Sequence, residues 1–449
     1  MGLGLHGGGV ASAVYFATRG ADVTITDLKG EASLRSSLEK LKPYPVNLVL
    51  GRHRKEDFSE ADLVLKNPAV PASSPFLELS RSRGIPIETD ISVFLSQVDN
   101  PYIVVTGSKG KSTVSSAIHH GLKTNHPSAR LGGNITVSPL TFIDELASED
   151  PVVLELSSWQ LADLRGKNIL KPTVSLITNI YPDHMNHYTN MQDYISDKKV
   201  IFESQSENSF AVFNGDDPHQ RSFPQETRAE AFTFSSRPLP KEREGAYLSG
   251  SRAFLRLGGV EEKILPDKLN LLGPHNRLNL LAGSLALRLF GVSSEIVCRS
   301  MGEFEGIEHR LELFAEHNGR RFYNDSAATI PHATVEALKS IPRPLVLIAG
   351  GTDKNLDFSP LREMMHIPEQ IILLRGSGTD KMIRLLEEIA LPYEGPYDSM
   401  SEAVTCAIQK AAKGTSVVLS PACTSFEMFQ NEFDRGRQFK EIVRSMIGE

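Results

Sequence analysis

The chain has 449 residues, a formal net charge of −7, 40% hydrophobic residues and 23% charged residues. That length exceeds what one hydrophobic core organises, since cores stop growing near roughly 250 residues, so two to four domains are expected. The acidic excess gives no reason to expect non-specific binding to nucleic acid or anionic membrane, while a locally basic cleft still suits small anionic substrates.

Residues 1 to about 93 alternate short apolar runs with helical patterns. A Gly-rich turn, Gly2-Leu3-Gly4-Leu5-His6-Gly7-Gly8-Gly9, precedes a helical pattern from Val10 to Arg19 whose Ala11, Val14, Tyr15 and Ala17 form a packed face. Ala21 to Asp27 reads as a strand ending in an acid, and Ala61 to Pro68 as a strand running into a turn. Only Met1 precedes the first glycine, so the strand feeding that turn is expected to be short or truncated. The alternation predicts a small unit with a parallel sheet.

A second unit starts near Asn100-Pro101, with strands at Tyr102 to Val105, Val152 to Leu154, Val174 to Ile177 and Ala211 to Phe213. From about 229 to 270 the stretches Ala231 to Phe234 and Ala253 to Leu257 alternate and predict antiparallel hairpins. Asn276 to Leu289, rich in Leu and Ala, reads as a helix. A third unit from about 304 carries strands at Val346 to Ala349, Ile371 to Leu374 and Val417 to Ser420, with helices between them.

The expected fold class is α/β in three domains: Rossmann-like over 1–93, a central P-loop ATPase-like sheet over 94–303, and Rossmann-like over 304–449. Apolar runs such as Pro344 to Ala349 are too short to span a bilayer, so no membrane insertion is expected. Cys298, Cys406 and Cys423 lie far apart without metal-ligand spacing and read as buried thiols of a reducing, cytoplasmic compartment.

The strongest local signal is Thr106-Gly107-Ser108-Lys109-Gly110-Lys111-Ser112-Thr113, between a strand and a helix. Glycines let the backbone aim N–H groups at phosphate oxygens, and the helix adds its positive end. Lys111 can reach β/γ oxygens, and the hydroxyl of Ser112 or Thr113 can face magnesium. The long form of this motif wants glycine at position 105, where Val105 stands, so the match is to a shorter loop. A plain Gly/Ser-rich turn is the alternative, and the flanking strand and helix favour nucleotide binding.

Glu155 closes a strand, where open α/β sheets bind ligands. Two roles stand open for it: a magnesium ligand beside Ser112, or an acidic cap of the next helix. Asp183, His184 and Lys198 could place an acid, an imidazole and a cation on the rim of the same sheet. The first Gly-rich turn with Asp27 is similar to a dinucleotide arrangement, which leaves Asp27 a role at uracil, at a ribose or in a simple strand-end turn.

Taken together the motifs resemble the Mur ligases. The resemblance spans nearly the whole chain, through the phosphate loop, Glu155-Leu156-Ser157-Ser158-Trp159-Gln160-Leu161, Asn179-Ile180-Tyr181-Pro182-Asp183-His184, His275-Asn276-Arg277-Leu278-Asn279, His309-Arg310, Asn324-Asp325-Ser326 and Ser420-Pro421-Ala422-Cys423-Thr424-Ser425. The continuation Asn431-Glu432-Phe433-Asp434-Arg435-Gly436 is similar to the glutamate-adding branch.

The resemblance implies three domains that take a UDP-sugar, ATP and an amino acid in turn. It implies Leu5, His6 and Gly7 near the UDP pyrophosphate, Asp27 and Lys29 near uracil, and Asn134 and His184 near muramoyl or phosphate oxygens. It places ATP on Gly107, Ser108, Lys109, Gly110, Lys111, Ser112, Thr113, Asn276, Asn279, Arg310 and Asp325. Glutamate falls to Thr329, Lys354, Ser425 and Phe433, with Phe433 ambiguous by one residue. Two magnesium ions are implied on Ser112, Glu155, His184 and Lys198, the last carbamylated so that a cation becomes a carboxylate-like ligand. Lys111, His184 and Lys198 are the implied catalytic groups. The implied substrates are UDP-N-acetylmuramoyl-L-alanine and D-glutamate, joined through an acyl phosphate by a cytoplasmic monomer with no nucleic-acid partner.

Three departures stand out. Ala327 occupies a position where the family commonly has lysine, Ser108-Lys109 replaces a usual Thr-Asn, and the first Gly-rich turn carries His6 and extra residues. The competing readings are a sister ligase adding another amino acid, a folate-type polyglutamate ligase, and a non-catalytic nucleotide-binding regulator.

Overall fold

The computed structural model describes residues 1–5, 7–135, 137–182, 188, 190–354 and 356–448, so His6, Asp183 and His184 lie outside the described residues. The chain divides into two compact units, Met1–Lys268 with Leu278–Glu303, and Leu269–Arg277 with Phe304–Glu449.

In the first unit, β1 (Val23–Asp27) pairs in parallel with β2 (Val46–Leu50), and β3 (Val64–Leu65) with β4 (Ile87–Glu88). The opening residues are not in a strand, yet they do a strand's work. Gly2 N donates to Thr26 O at 2.8 Å, Asn67 N to Met1 O at 3.0 Å, and the Met1 amino group to Leu65 O at 2.8 Å, which ties the β1 side to the β3 side. The first helix, Gly8–Ala17, buries Val10, Ala11, Ala13 and Ala17. Val14 and Tyr15, expected on its packed face, are only half-buried.

Nine further strands form one sheet: β5 (Tyr102–Thr106), β6 (Arg130–Gly133), β7 (Val152–Glu155), β8 (Val174–Ile177), β9 (Phe210–Asn214), β10 (Glu230–Ser235), β11 (Gly245–Ser249), β12 (Arg252–Leu257) and β13 (Val260–Lys263). Their order is β13-β12-β11-β10-β9-β8-β5-β7-β6. From β5 the chain winds to β6 and β7 on one side, then crosses to β8 on the other. The topological switch therefore lies at β5, where such sheets bind ligands beyond the strands' carboxyl ends.

The expectation of hairpins over 229–270 needs correction at its start. Ala231 to Phe234 lies in β10, which runs parallel to both β9 and β11; antiparallel pairing begins only between β11 and β12. The alternation misleads because Thr233 is buried along with Phe232 and Phe234, as befits a parallel strand covered on both faces.

The second unit holds a six-stranded sheet of β14 (Glu312–His317), β15 (Arg320–Asn324), β16 (Leu345–Ala349), β17 (Gln370–Leu374), β18 (Glu394–Tyr397) and β19 (Ser416–Leu419), ordered β14-β15-β19-β16-β17-β18. Only β14 is antiparallel to its neighbour. Leu345, Leu347 and Ala349 pack into one core while Val346 and Ile348 pack into another, so β16 is apolar throughout.

All three cysteines are free, but only Cys423 is buried; Cys298 and Cys406 are half-buried, because each sits on a helix with one side toward solvent. Among the described residues no helix is long and apolar enough to cross a membrane.

Candidate active site

The Gly-rich loop of residues 107–110 joins β5 to the helix Lys111–Asn125. Gly107 has φ 148°, and a Cβ there would overlap Thr178 Oγ1, so glycine is required on both counts. Gly110 caps the helix at φ 82° with no side-chain cap, leaving the positive helix end uncovered by its own sequence. Lys111 Nζ folds back to Gly107 O at 3.0 Å and Ser108 O at 3.2 Å.

The two unusual loop residues serve its shape. Ser108 is 3% exposed; its N–H donates to Asn179 O at 2.8 Å, and its hydroxyl meets Tyr181 O and Tyr194 Oη at 2.9 Å each. Lys109 N donates to Asn179 Oδ1 at 2.8 Å, while Asn179 Nδ2 and Thr178 Oγ1 donate to Lys109 O at 3.0 and 2.6 Å. Thr178 and Asn179 thus hold the loop from the end of β8. Sequence reasoning gave neither residue a role of its own, although both follow a strand that borders the loop. Asn279 also comes to the loop, since a Cβ at Gly110 would lie 2.6 Å from its Oδ1. Asn276 belongs to the other unit, where its Nδ2 donates to Leu272 O at 2.8 Å.

Glu155, at the end of β7, is 1% exposed. Its carboxylate accepts from Asn134 Nδ2 at 2.9 Å and Ser115 Oγ at 3.4 Å. The helix Ser158–Leu164 is capped by a reciprocal Ser157–Gln160 box, which removes the reading of Glu155 as its cap. Two neutral donors leave a buried anion with no ion-pair partner among the described residues, a condition that a divalent cation relieves. Glu155, with Ser112 in the first turn of the neighbouring helix, fits a magnesium site on that chemistry. Lys198, 1% exposed, donates to Gly107 O at 3.0 Å with its ammonium 4.5 Å from the Tyr194 ring centre. As an ammonium it is a donor to the loop.

At the carboxyl end of β1, Asp27 accepts from Gly4 N at 3.2 Å and Lys29 N at 2.9 Å, so it ties together the two turns. With Met1, Gly2, His53, Val70 and Phe76 it lines a cavity of about 560 Å³. Leu5 and Lys29 are exposed, and Gly7 starts the first helix at φ 90°. His53 is a residue the sequence did not point to. It sits three residues past β2, hydrogen-bonded to Thr26 and edge-on to Phe76 at 5.0 Å, and burial lowers its pKa.

In the second unit, Asp325 accepts from Ser420 Oγ at 2.7 Å and Leu311 N at 3.1 Å. Burial pushes its pKa up to about 7. Thr352 and Thr424 exchange backbone hydrogen bonds of 2.9 and 3.1 Å, bringing the loops of Lys354 and Ser425 side by side. Ser425 is 3% exposed, and its hydroxyl has no partner among the described residues. Thr329 is half-buried, Lys354 and Arg310 are exposed, and the Phe433 ring lies 5.7 Å from buried His309.

Arg435, fully buried, was not singled out by sequence. It donates to Ser326 Oγ at 2.9 Å, Ser326 O at 2.8 Å and Cys423 O at 3.1 Å, stapling the Asp325 loop to the Ser425 loop. Desolvation lowers its pKa to about 10. The available signal was its place on the buried face of the last helix with Gly436, Phe439 and Val443. Ala327 supplies no charge; the neighbouring buried cation is this guanidinium.

Comparison with known proteins places these features in context. The description "Mur ligase MurD-like, N-terminal domain" matches residues 1–89, "Mur ligase middle domain" 105–287 and "Mur ligase, glutamate ligase domain" 309–423. The UDP-N-acetylmuramoylalanine–D-glutamate ligase of Borreliella afzelii is 40% identical over 455 residues, covering 100% of this chain and 97% of that protein. The ligase of the same name from Treponema pallidum is 34% identical, covering 99% and 96%. Among solved structures, the UDP-N-acetylmuramate-alanine ligase MurC of Thermotoga maritima aligns with TM-score 0.64 at 20% identity, covering 99% of this chain and 98% of that one. The MurF ligase of Thermotoga maritima in complex with ADP aligns with TM-score 0.59 at 15% identity, covering 96% and 97%.

Proposed function

The chain belongs to the Mur ligase family, and on that premise we propose that it joins D-glutamate to UDP-N-acetylmuramoyl-L-alanine at the expense of ATP, in peptidoglycan precursor synthesis. The observation that carries the reading is the buried Glu155 carboxylate, without an ion-pair partner among the described residues, on the strand next to the Gly-rich loop at the sheet's switch point.

A carboxylate is a poor acyl donor, because its leaving group would be oxide. Transfer of the γ-phosphoryl group of ATP to the alanyl carboxylate gives an acyl phosphate and ADP. Lys111 and the open helix end stabilise the charge on the transferring group. Ser112 and Glu155 would hold magnesium, with His184 and a carbamylated Lys198 as the further ligands of this proposal, and the ion would supply additional charge neutralisation there. The glutamate amine, having lost a proton, then attacks the acyl carbon, and phosphate leaves with the amide formed.

In this reading residues 1–93 take the UDP-sugar through Leu5, Gly7, Asp27 and Lys29, and residues 94–303 take ATP. Residues 304–449 take glutamate through Thr329, Lys354, Ser425 and Phe433, with Arg310 and Asp325 serving the nucleotide. The enzyme works as a cytoplasmic monomer.

The test is a panel of D- and L-amino acids with UDP-N-acetylmuramoyl-L-alanine and ATP, scored by product mass and stereochemistry. D-Glutamate should give stoichiometric amide and ADP, and Lys111→Ala should lower the rate by about a hundredfold or more. Preference for another amino acid, or a Lys111→Ala variant as fast as wild type, overturns the proposal.

A further inference from the structure

Two lysines cross between residues 1–93 and the central sheet in opposite directions. Lys66, just past β3 and 7% exposed, has its ammonium 2.7 Å from Asp163 Oδ2 and donates to Val70 O at 3.2 Å. Lys167, in the turn after the helix Ser158–Leu164, reaches the other way, 2.7 Å from Glu88 Oε1 and donating to Ile87 O at 3.2 Å. Both act on one short ladder, because Leu65 pairs with Glu88 and Lys66 N donates to Glu88 O at 2.9 Å.

Each end of this clamp leads to a part of the site. Val70, whose carbonyl Lys66 holds, lines the cavity shared with Asp27 and His53. Asp163 lies in the helix whose capping residue, Ser157, is two positions past Glu155. A path of a few bonded residues therefore runs from the N-terminal cavity to the buried acid.

Stability is a poor reason for the pair. Burial raises the Asp163 pKa even though Lys66 lies beside it. An apolar pair of similar volume often holds two surfaces as firmly as a buried ion pair does. An apolar pair, however, slides; an ammonium held between Val70 O and a carboxylate has one direction and one register.

We infer that Lys66–Asp163 and Lys167–Glu88 are positioning pairs that hold the N-terminal cavity at one distance from Glu155 and the phosphate loop. The carboxylate of a UDP-linked acceptor seated in that cavity then meets the γ-phosphate in line. The inference rests on the function proposed above.

The test is the double variant Lys66→Met/Asp163→Leu, which removes both charges and strands neither. Its thermal midpoint should equal or exceed that of wild type. Its dissociation constant for UDP-N-acetylmuramoyl-L-alanine by calorimetry, and its KM for ATP, should stay within about twofold, while kcat falls about tenfold to a hundredfold. A kcat within about twofold of wild type overturns the positioning role, as does a loss of acceptor affinity equal to the loss of rate. Should the double variant not fold, Asp163→Asn is read by its dissociation constant, KM and kcat alone, with a lower thermal midpoint expected from the stranded Lys66 ammonium. An inactive wild type overturns the functional reading and this inference with it; an active wild type with an unimpaired variant overturns only the inference.

Discussion

Asp325 shows what burial does to a single carboxyl. Its pKa stands near 7 in the folded chain against an ordinary 3.8, because desolvation outweighs the donors Ser420 and Leu311. A raised carboxyl pKa means the native state binds the proton more tightly than the unfolded state does. Stability from this group is therefore present below about pH 4 and lost as pH rises toward 7. Asp325→Asn titrates in neither state, so its stability relative to wild type should improve from pH 5 to pH 8 by on the order of 2 kcal/mol in denaturant melts. A constant gap would refute the burial argument. Ser425 is the complementary case, a buried hydroxyl with no partner among the described residues. Leaving such a group unpaired costs about 1–3 kcal/mol, so Ser425→Ala should keep or raise the thermal midpoint while raising the KM for D-glutamate about tenfold. An unchanged KM would remove Ser425 from the glutamate site. The strand-to-helix turn that carries Lys111 and Ser112 and the strand-end position of Glu155 were legible one at a time, because loop spacing and the strand-end rule are local. Arg435 was not, since its partner Ser326 lies 109 residues away.

Among the elements, the turn after β5 is the most constrained. Gly107→Ala puts a Cβ onto Thr178 Oγ1 at a φ of 148°, so the thermal midpoint should drop by the equivalent of about 3 kcal/mol and ATP binding should weaken with it. Adding Thr178→Ala should restore part of the loss, because it removes the overlap and leaves the backbone strain. No recovery would mean that the torsion alone is at fault. The same scale explains two misreadings. Ala231 to Phe234 looked like a hairpin arm, but β10 is buried on both faces between parallel neighbours. The first helix showed the expected period, with its face turned so that Ala13 is buried and Val14 only half so.

For the molecule as a whole, the two compact units are not consecutive in sequence. The second includes Leu269–Arg277, and Leu272 of that segment packs on the same core as Leu345, Leu347 and Ala349. A fragment of residues 304–449 should therefore melt below the corresponding transition of the full chain, and addition of a peptide spanning 269–277 should raise its midpoint. A fragment as stable as the intact unit would show that segment to be dispensable. By itself the sequence determined the class of most elements, the Gly-rich turn between β5 and its helix, and the acid at the end of β7. Each of those depends on hydrogen bonds and side-chain periods spanning a few residues. Only the tertiary structure decided that β5 sits at the switch of a nine-stranded sheet, that Lys66 meets Asp163 and that Arg435 staples two loops. Those outcomes depend on which distant surfaces pack together, and no pattern within a short window of sequence carries that choice.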